Sequence, residues 1–376
     1  MELLLKKFIL ENKDWEYLLT SAPYYLNISR KDGYILFKYN QMMSDFSNPI
    51  VKEARGIIFR ESDLKCVCYP FTKFMNADEP NSDLDKLDWS SIKTQEKIDG
   101  SLLKAWYDEG SWHISTNGTI DASQATVGEQ SVNSSTRTFR DIFDLALTSA
   151  GISFDSFTKL LDVNYTYMFE LVSPYNRIVI NYDTTELYFI GVRDMISGKE
   201  LNPRDFTSLT KYFKCPKEYD LHTLEAIRDA ANKLNSNNVI NDEGFVLVDK
   251  YFNRVKVKSM EYVKAHHLSN NGAVTIERLI NVILKNETSE FLTYCPMYKD
   301  RIEDLAGRMD LFKSEVTGII RKMKESQPDI FSNRKEYAEV VKTYDKRYQS
   351  FLFRHDNLDD AFSRLTPAKW KDLLNK

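Results

Sequence analysis

The sequence predicts an α+β fold built on antiparallel sheets and followed by an all-helical C-terminal domain. Three observations predict it. Between about Tyr34 and Ser259, short β-rich runs follow one another with brief links, the pattern of antiparallel pairing. After about Tyr262 the apolar residues change to a period of three to four, which is helical. The chain has 376 residues, 42% of them hydrophobic, so a core in each of two domains is feasible. The expected division is 1–262 and 263–376.

The elements follow in order. "RGIIF" (55–59) and "KCVCYPF" (65–71) flank a turn-like "ESD", and Cys66 and Cys68, two apart, are expected on one face of a strand. "SLLKAWY" and "SWHIST" flank Asp108-Glu109-Gly110, a hairpin signal. "YTYMFELV" (165–172), "RIVINY" (177–182) and "ELYFIGVRD" (186–194) read as strands, and "EGFVLVDKYFNRVKVKS" (243–259) as a further hairpin. Helices are expected at about 137–149 and 220–234. Beyond them Ile276, Leu279, Ile280, Ile283 and Leu284 form one stripe of a helix with Thr275 as its cap. Ile302 to Met323 carries a second stripe, and Tyr337, Val341, Tyr344, Tyr348 and Leu352 a third. In "TPAKW" (366–370) a cap-type Thr precedes Pro at the first helical position.

Composition narrows the function. A net charge of −4 makes the chain no polycation, so nucleic-acid contact requires a local basic surface. Residues 301–376 hold 16 Lys/Arg against 13 Asp/Glu, a bias that a solvated helical surface also explains. Four cysteines are too few for a disulfide scaffold and lack zinc spacing. No apolar run approaches a membrane span and no clear signal peptide is seen, so a cytoplasmic protein is expected. A phosphate loop of the G-x-x-x-x-G-K-[ST] type is absent.

Several residues stand out chemically. In "TQEKIDGSLLKAW" (94–106), Lys97 lies two residues ahead of Asp99-Gly100; this is a surface turn, or a turn presenting a nucleophile. Lys256 and Lys258 share one face of a strand, either a solvated face or the wall of an anion site. Glu170 inside "YMFELV" and Glu243 ahead of "GFVLV" sit where burial is costly unless the carboxylate is paired or metal-bound. Arg55 and Lys73 are cations beside apolar strands, where each is a surface charge or a ligand group. No bland reading predicts the joint order of Lys97, Glu170, Glu243-Gly244 and Lys256-x-Lys258.

That ordered set resembles the covalent nucleotidyltransferase superfamily of ATP-dependent polynucleotide ligases and capping enzymes. It is most similar to the bacteriophage RNA ligase 1 family, over roughly residues 40–262, through "ARGIIF", "EKIDGS", "MFELVSPYNRIVI", "LYFIGVRD", "EGFVLV" and "VKVKSMEY". The resemblance implies that residues 1–262 form a nucleotidyltransferase domain and that Lys97 attacks the α-phosphate of ATP to form a lysyl-adenylate. It implies that Glu170 and Glu243 are essential carboxylates and candidate ligands of Mg2+ or Mn2+, with Lys256 and Lys258 as the accompanying catalytic pair. It places Arg55 and Lys73 at the triphosphate, Ile190 and Val246 around the adenine, and Glu96, Ile98, Gly100 and Tyr262 in the same ATP-binding set.

The implied partner is RNA with 5′-phosphate and 3′-hydroxyl ends, such as a broken tRNA, handled by a monomer in the host cytoplasm of a phage. Two departures accompany the resemblance: a family lysine is replaced by Asn117, and a family aromatic by Met75. A DNA ligase or capping enzyme is the alternative within the superfamily, and a non-catalytic RNA-end-binding protein the alternative outside catalysis. A nucleophilic lysine must lose its proton, which burial and neighbouring cations favour. Asp99 would oppose that, so its carboxylate is expected to turn towards backbone or ribose.

Overall fold

A computed structural model describes residues 2–41, 43–79, 81–127, 137–235, 240–267, 275–285, 287–288, 291–292 and 295–374. The chain separates into two units, Met1–His266 and His267–Lys376.

In the first unit, helices Leu4–Glu11 and Trp15–Thr20 bury Leu5, Ile9 and Leu19 against the first sheet. That sheet pairs β1 (Leu26–Lys31), β2 (Tyr34–Tyr39), β3 (Arg55–Arg60) and β4 (Cys66–Cys68) in consecutive antiparallel order. β5 (Lys93–Glu96) starts elsewhere, while β6 (Ser101–Asp108) and β7 (Ser111–Thr116) form the expected hairpin. β8 (Tyr165–Val172) pairs with β6, and β9 (Glu186–Asp194) pairs with β8. The short edge Glu200–Leu201 completes a sheet of five strands. β10 (Gly244–Val248) pairs with both β5 and β11 (Arg254–Lys258), with Glu218–Tyr219 at the far edge. The helices Phe139–Ser149 and Leu224–Lys233 bury their apolar stripes against the five-stranded and β10–β11 sheets respectively.

The second unit is helical. Ile276–Leu284 begins at Thr275, whose hydroxyl accepts from the Arg278 N–H at 3.1 Å. The 28-residue helix Lys299–Ser326 buries Ile302, Leu305, Met309, Phe312, Val316, Ile320 and Met323, a continuous stripe. Pro367–Leu374 buries Trp370 and is capped by Thr366, which accepts from the Lys369 N–H at 3.2 Å.

Three expectations are corrected. "RIVINY" is not a strand: residues 177–182 follow a tight turn at Pro174–Asn176, and the N–H groups of Val179 and Ile180 donate to Asp99 Oδ2 at 3.0 and 2.8 Å. A carboxylate there takes donors that a ladder would have needed, and tertiary contact overrides β propensity. Cys66 and Cys68 do not share a face. A register shift between Ile58 and Phe59 lets Cys66 pack with the Phe59 cluster and Cys68 with the Ile58 cluster. The third helical stripe is two helices, Arg334–Lys342 and Lys346–Leu352, because Asp345 caps the second by accepting from the Arg347 N–H at 2.9 Å.

Lys104, on β6, is fully buried and donates to the Gly56 carbonyl at 2.5 Å. Burial, with Arg55 and Lys38 adding to it against an opposing Cys68, pulls the ammonium from 10.5 down to about 8. The charged form is therefore penalised at neutral pH by about 3 kcal/mol, a cost relieved as pH rises from the folded to the unfolded value. Relative to Lys104→Met, the wild-type chain should gain roughly 2 kcal/mol of stability between pH 7.5 and 10. Paired denaturant melts check this; a pH-independent difference would refute it.

Candidate active site

The site is assembled where β5, β8, β10 and β11 meet. The N–H of Lys97, just past β5, donates to the Gly244 carbonyl at 2.9 Å, which places Lys97 beside Glu243. The Lys97 ammonium lies 2.6 Å from Glu243 Oε2, and Lys258 Nζ lies 3.6 Å from Oε1. Glu243 is 4% exposed, so its charge is compensated by two cations rather than by water.

Two glycines permit this approach. A Cβ on Gly100 would stand 2.4 Å from the Leu171 carbonyl oxygen and 3.0 Å from Glu170 Cγ. The Asp99-Gly100 turn is therefore pressed onto β8, which brings Glu170 to the same cavity as Lys97. Gly244 has φ +142°, and a Cβ there would lie 2.3 Å from the Val257 carbonyl oxygen. Asp99 turns away from the lysine: besides the two N–H groups above, it accepts from the Tyr262 hydroxyl at 2.7 Å. The expected turn towards backbone is what the structure contains.

Glu170 is pushed up to about 7, first by burial, then by Glu243 and Asp99, with Lys97 and Arg55 pulling the other way. Near neutral pH it is poised between carboxyl and carboxylate. On β11, Val255 and Val257 enter the core while Arg254, Lys256 and Lys258 line the opposite face.

The cavity these residues surround has a volume of about 610 Å³, the size of a small-ligand site. Arg55, Lys73, Glu96, Lys97, Ile98, Gly100, Glu170, Ile190, Glu243, Val246, Lys256 and Lys258 all line it. Tyr262 does not. It is 2% exposed and its hydroxyl donates to Asp99, which borders the Lys97 turn. Asn117 is on the lining, whereas Met75 is buried in the core under the first sheet.

Sequence reading missed Lys38, Phe71 and Arg254, which also line the cavity. Arg254 had a signal, since it continues the alternation of Lys256 and Lys258. Its guanidinium pairs with Glu200 at 2.6 Å and lies 4.3 Å from the Phe71 ring centroid. Phe71 had none: it needs Gly191, where a Cβ would approach its ring to 2.5 Å.

Among the described residues no group of three or more His, Cys, Asp or Glu gathers as a metal site. Glu170 and Glu243 nevertheless offer hard oxygen donors on one cavity. Such a pair suits a divalent cation whose remaining ligands are water and phosphate oxygens.

The family model described as RNA ligase matches residues 53–262. An RNA ligase of Rhodothermus phage RM378 is 26% identical over 322 residues, covering 70% of this chain and 70% of the relative. A protein of Autographa californica nuclear polyhedrosis virus, assigned as a bifunctional polynucleotide kinase/RNA ligase, is 27% identical over 359 residues. That alignment covers 91% of this chain, which spans about half the length of the viral relative, 49%. Among solved structures, an archaeal ATP-dependent RNA ligase shares 11% identity with a TM-score of 0.47, covering 80% of this chain and 78% of the other.

Proposed function

Since the chain belongs to the RNA ligase family, we propose that it is an ATP-dependent RNA ligase working through a lysyl-adenylate on Lys97. The observation that carries this reading is the Lys97 ammonium, 2.6 Å from Glu243 in a cavity that also gathers Glu170, Lys256 and Lys258.

In the proposed sequence, the Lys97 amine, its proton released to water, attacks the α-phosphorus of ATP through Nζ as the bond to pyrophosphate breaks. The 5′-phosphate of one RNA end then attacks the same phosphorus, releasing Lys97 and forming an adenylylated end. Finally a 3′-hydroxyl attacks the RNA phosphate and AMP departs. Glu243 orients the Lys97 amine, while Lys256 and Lys258 offset charge developing on the α-phosphate. Arg55 and Lys73 meet the polyphosphate, and Ile190, Val246 and Phe71 wall the base. Glu170 and Glu243 would hold a Mg2+ or Mn2+ ion, which supplies charge neutralisation of the phosphates when bound. Tyr262 acts as a positioning residue through Asp99.

The proposed substrate is RNA with a 5′-phosphate and a 3′-hydroxyl, of the kind left by a tRNA break, sealed by a monomer. Residues 1–262 are assigned to adenylation and 263–376 to substrate choice.

The test presents matched RNA and DNA strands, with α-labelled ATP, to the intact chain. Labelled protein on a denaturing gel and sealed RNA are expected. Sealing of DNA alone, or guanylylation in preference to adenylylation, would overturn the reading.

A further inference from the structure

One corner of the cavity carries a third cation, Lys38, beside Arg55 and Lys73. β2 and β3 pair in register as far as Phe37 and Ile57, and then Lys38 faces Arg55. The extra residue is Gly56, at φ +80°, so this is a bulge built on a glycine. Its effect is to set two cations directly opposite each other across a ladder, an arrangement that is destabilising by itself. Gly56 cannot be exchanged cheaply. A Cβ there would lie 2.7 Å from the Asn117 carbonyl oxygen and 2.9 Å from Lys104 Nζ.

Lys73 joins them, its ammonium 5.1 Å from the Tyr39 ring centroid. Among the described residues, no carboxylate lies within 4.0 Å of Lys38, Arg55 or Lys73, and Arg55 Nη1 is buried without a hydrogen-bond partner. Burial pushes the Tyr39 phenol up, yet Lys73, Arg55 and Lys38 together hold it below the ordinary tyrosine range. The cluster is thus strongly positive and, among the described residues, without a carboxylate in ion-pair contact, at the opposite charge from Glu170 and Glu243.

Lys38 also reaches the neighbouring loop. A Cβ on Gly118 would come within 3.3 Å of Lys38 Nζ, which places that ammonium beside Gly118, the residue after Asn117, whose neutral side chain is on the cavity lining.

We propose that Lys38 is a further substrate-binding residue, which holds the terminal phosphates of the nucleoside triphosphate, and the pyrophosphate that leaves, at the corner where Asn117 carries no charge. This rests on the ligase reading for the identity of the nucleotide. The site itself stands on the cation cluster. In this assignment Lys38 serves the terminal phosphates alone, so its removal separates the two ends of the substrate.

The experiment titrates inorganic pyrophosphate and AMP, separately, into the full chain and its variants by calorimetry. Lys38→Ala should weaken pyrophosphate binding about tenfold or more, the worth of one charged hydrogen bond. It should raise the KM for ATP in adduct formation similarly and leave AMP affinity within about twofold. Lys38→Arg should retain pyrophosphate binding, and Asn117→Lys placed on Lys38→Ala should restore it. A merely structural role would be restored by neither and would weaken AMP as well. Unchanged pyrophosphate affinity in Lys38→Ala, or an equal loss for AMP, overturns the proposal. Intact chain that binds pyrophosphate yet forms no adduct with ATP overturns the ligase reading and leaves the phosphate site standing.

Discussion

Lys97→Ala should abolish the covalent adduct formed from α-labelled ATP, a loss on the order of 10³ or more, because no other group can replace a nucleophile that forms the bond. The neighbouring cations cannot substitute. Lys258 Nζ stands on the far oxygen of Glu243, 3.6 Å away, and belongs to a strand whose ladder with β10 fixes its direction. The same variant should still seal RNA that carries a ready-made adenylylated 5′ end, since the last step breaks no bond to Lys97. The pair of results separates a lost nucleophile from a collapsed site. A labelled adduct persisting in Lys97→Ala would remove the assignment, and failure of the final step would show that Lys97 also holds the site together.

The second large effect lies in the backbone behind the pair. Gly244→Ala should cost about 3 kcal/mol, roughly 1–2 from a backbone region closed to side chains and roughly 1–2 from overlap. The φ of +142° and the 2.3 Å approach to the Val257 carbonyl oxygen act together there. Relief of that overlap must move β11 or Glu243, so adduct formation should fall with stability. Gly33→Ala is the control. Its φ is +79° but a Cβ there meets nothing within 4 Å, so only the backbone cost of about 1 kcal/mol is expected. Thermal or denaturant melts of both variants check the contrast; equal losses would mean that the close approach contributes nothing.

These effects separate what was readable from what was not. Glu170 and Glu243 were singled out as carboxylates in an apolar context, Lys256 and Lys258 by their alternation and Lys97 by the order of all five, and the chain brings all five to one cavity. The alternation in "NRVKVKS" was legible because a strand's side chains change face at every residue, whatever the rest of the fold does. The helical stripe of Lys299–Ser326 was legible for the same kind of reason. Each is a property of local geometry that the chain carries with it.

Lys38 was not readable, because its membership in the cavity depends on a bulge at Gly56 that changes which residue faces Arg55. Phe71 depends on the bare backbone of Gly191 across the cavity. The bond from the Tyr262 hydroxyl to Asp99 was equally unreadable, and "RIVINY" has strand composition but gives its donors to that same carboxylate.

By itself the sequence determined the antiparallel and helical character of the two regions and the order of the charged groups along them. Those follow from periodicity and from the cost of burying charge, both set within a few residues. Only the tertiary structure decided which side chains share the cavity, where the Asp99 carboxylate points and where the positive corner lies. Those depend on bulges, register and close backbone approaches between segments far apart in the chain. Their energies arise only once the segments have met.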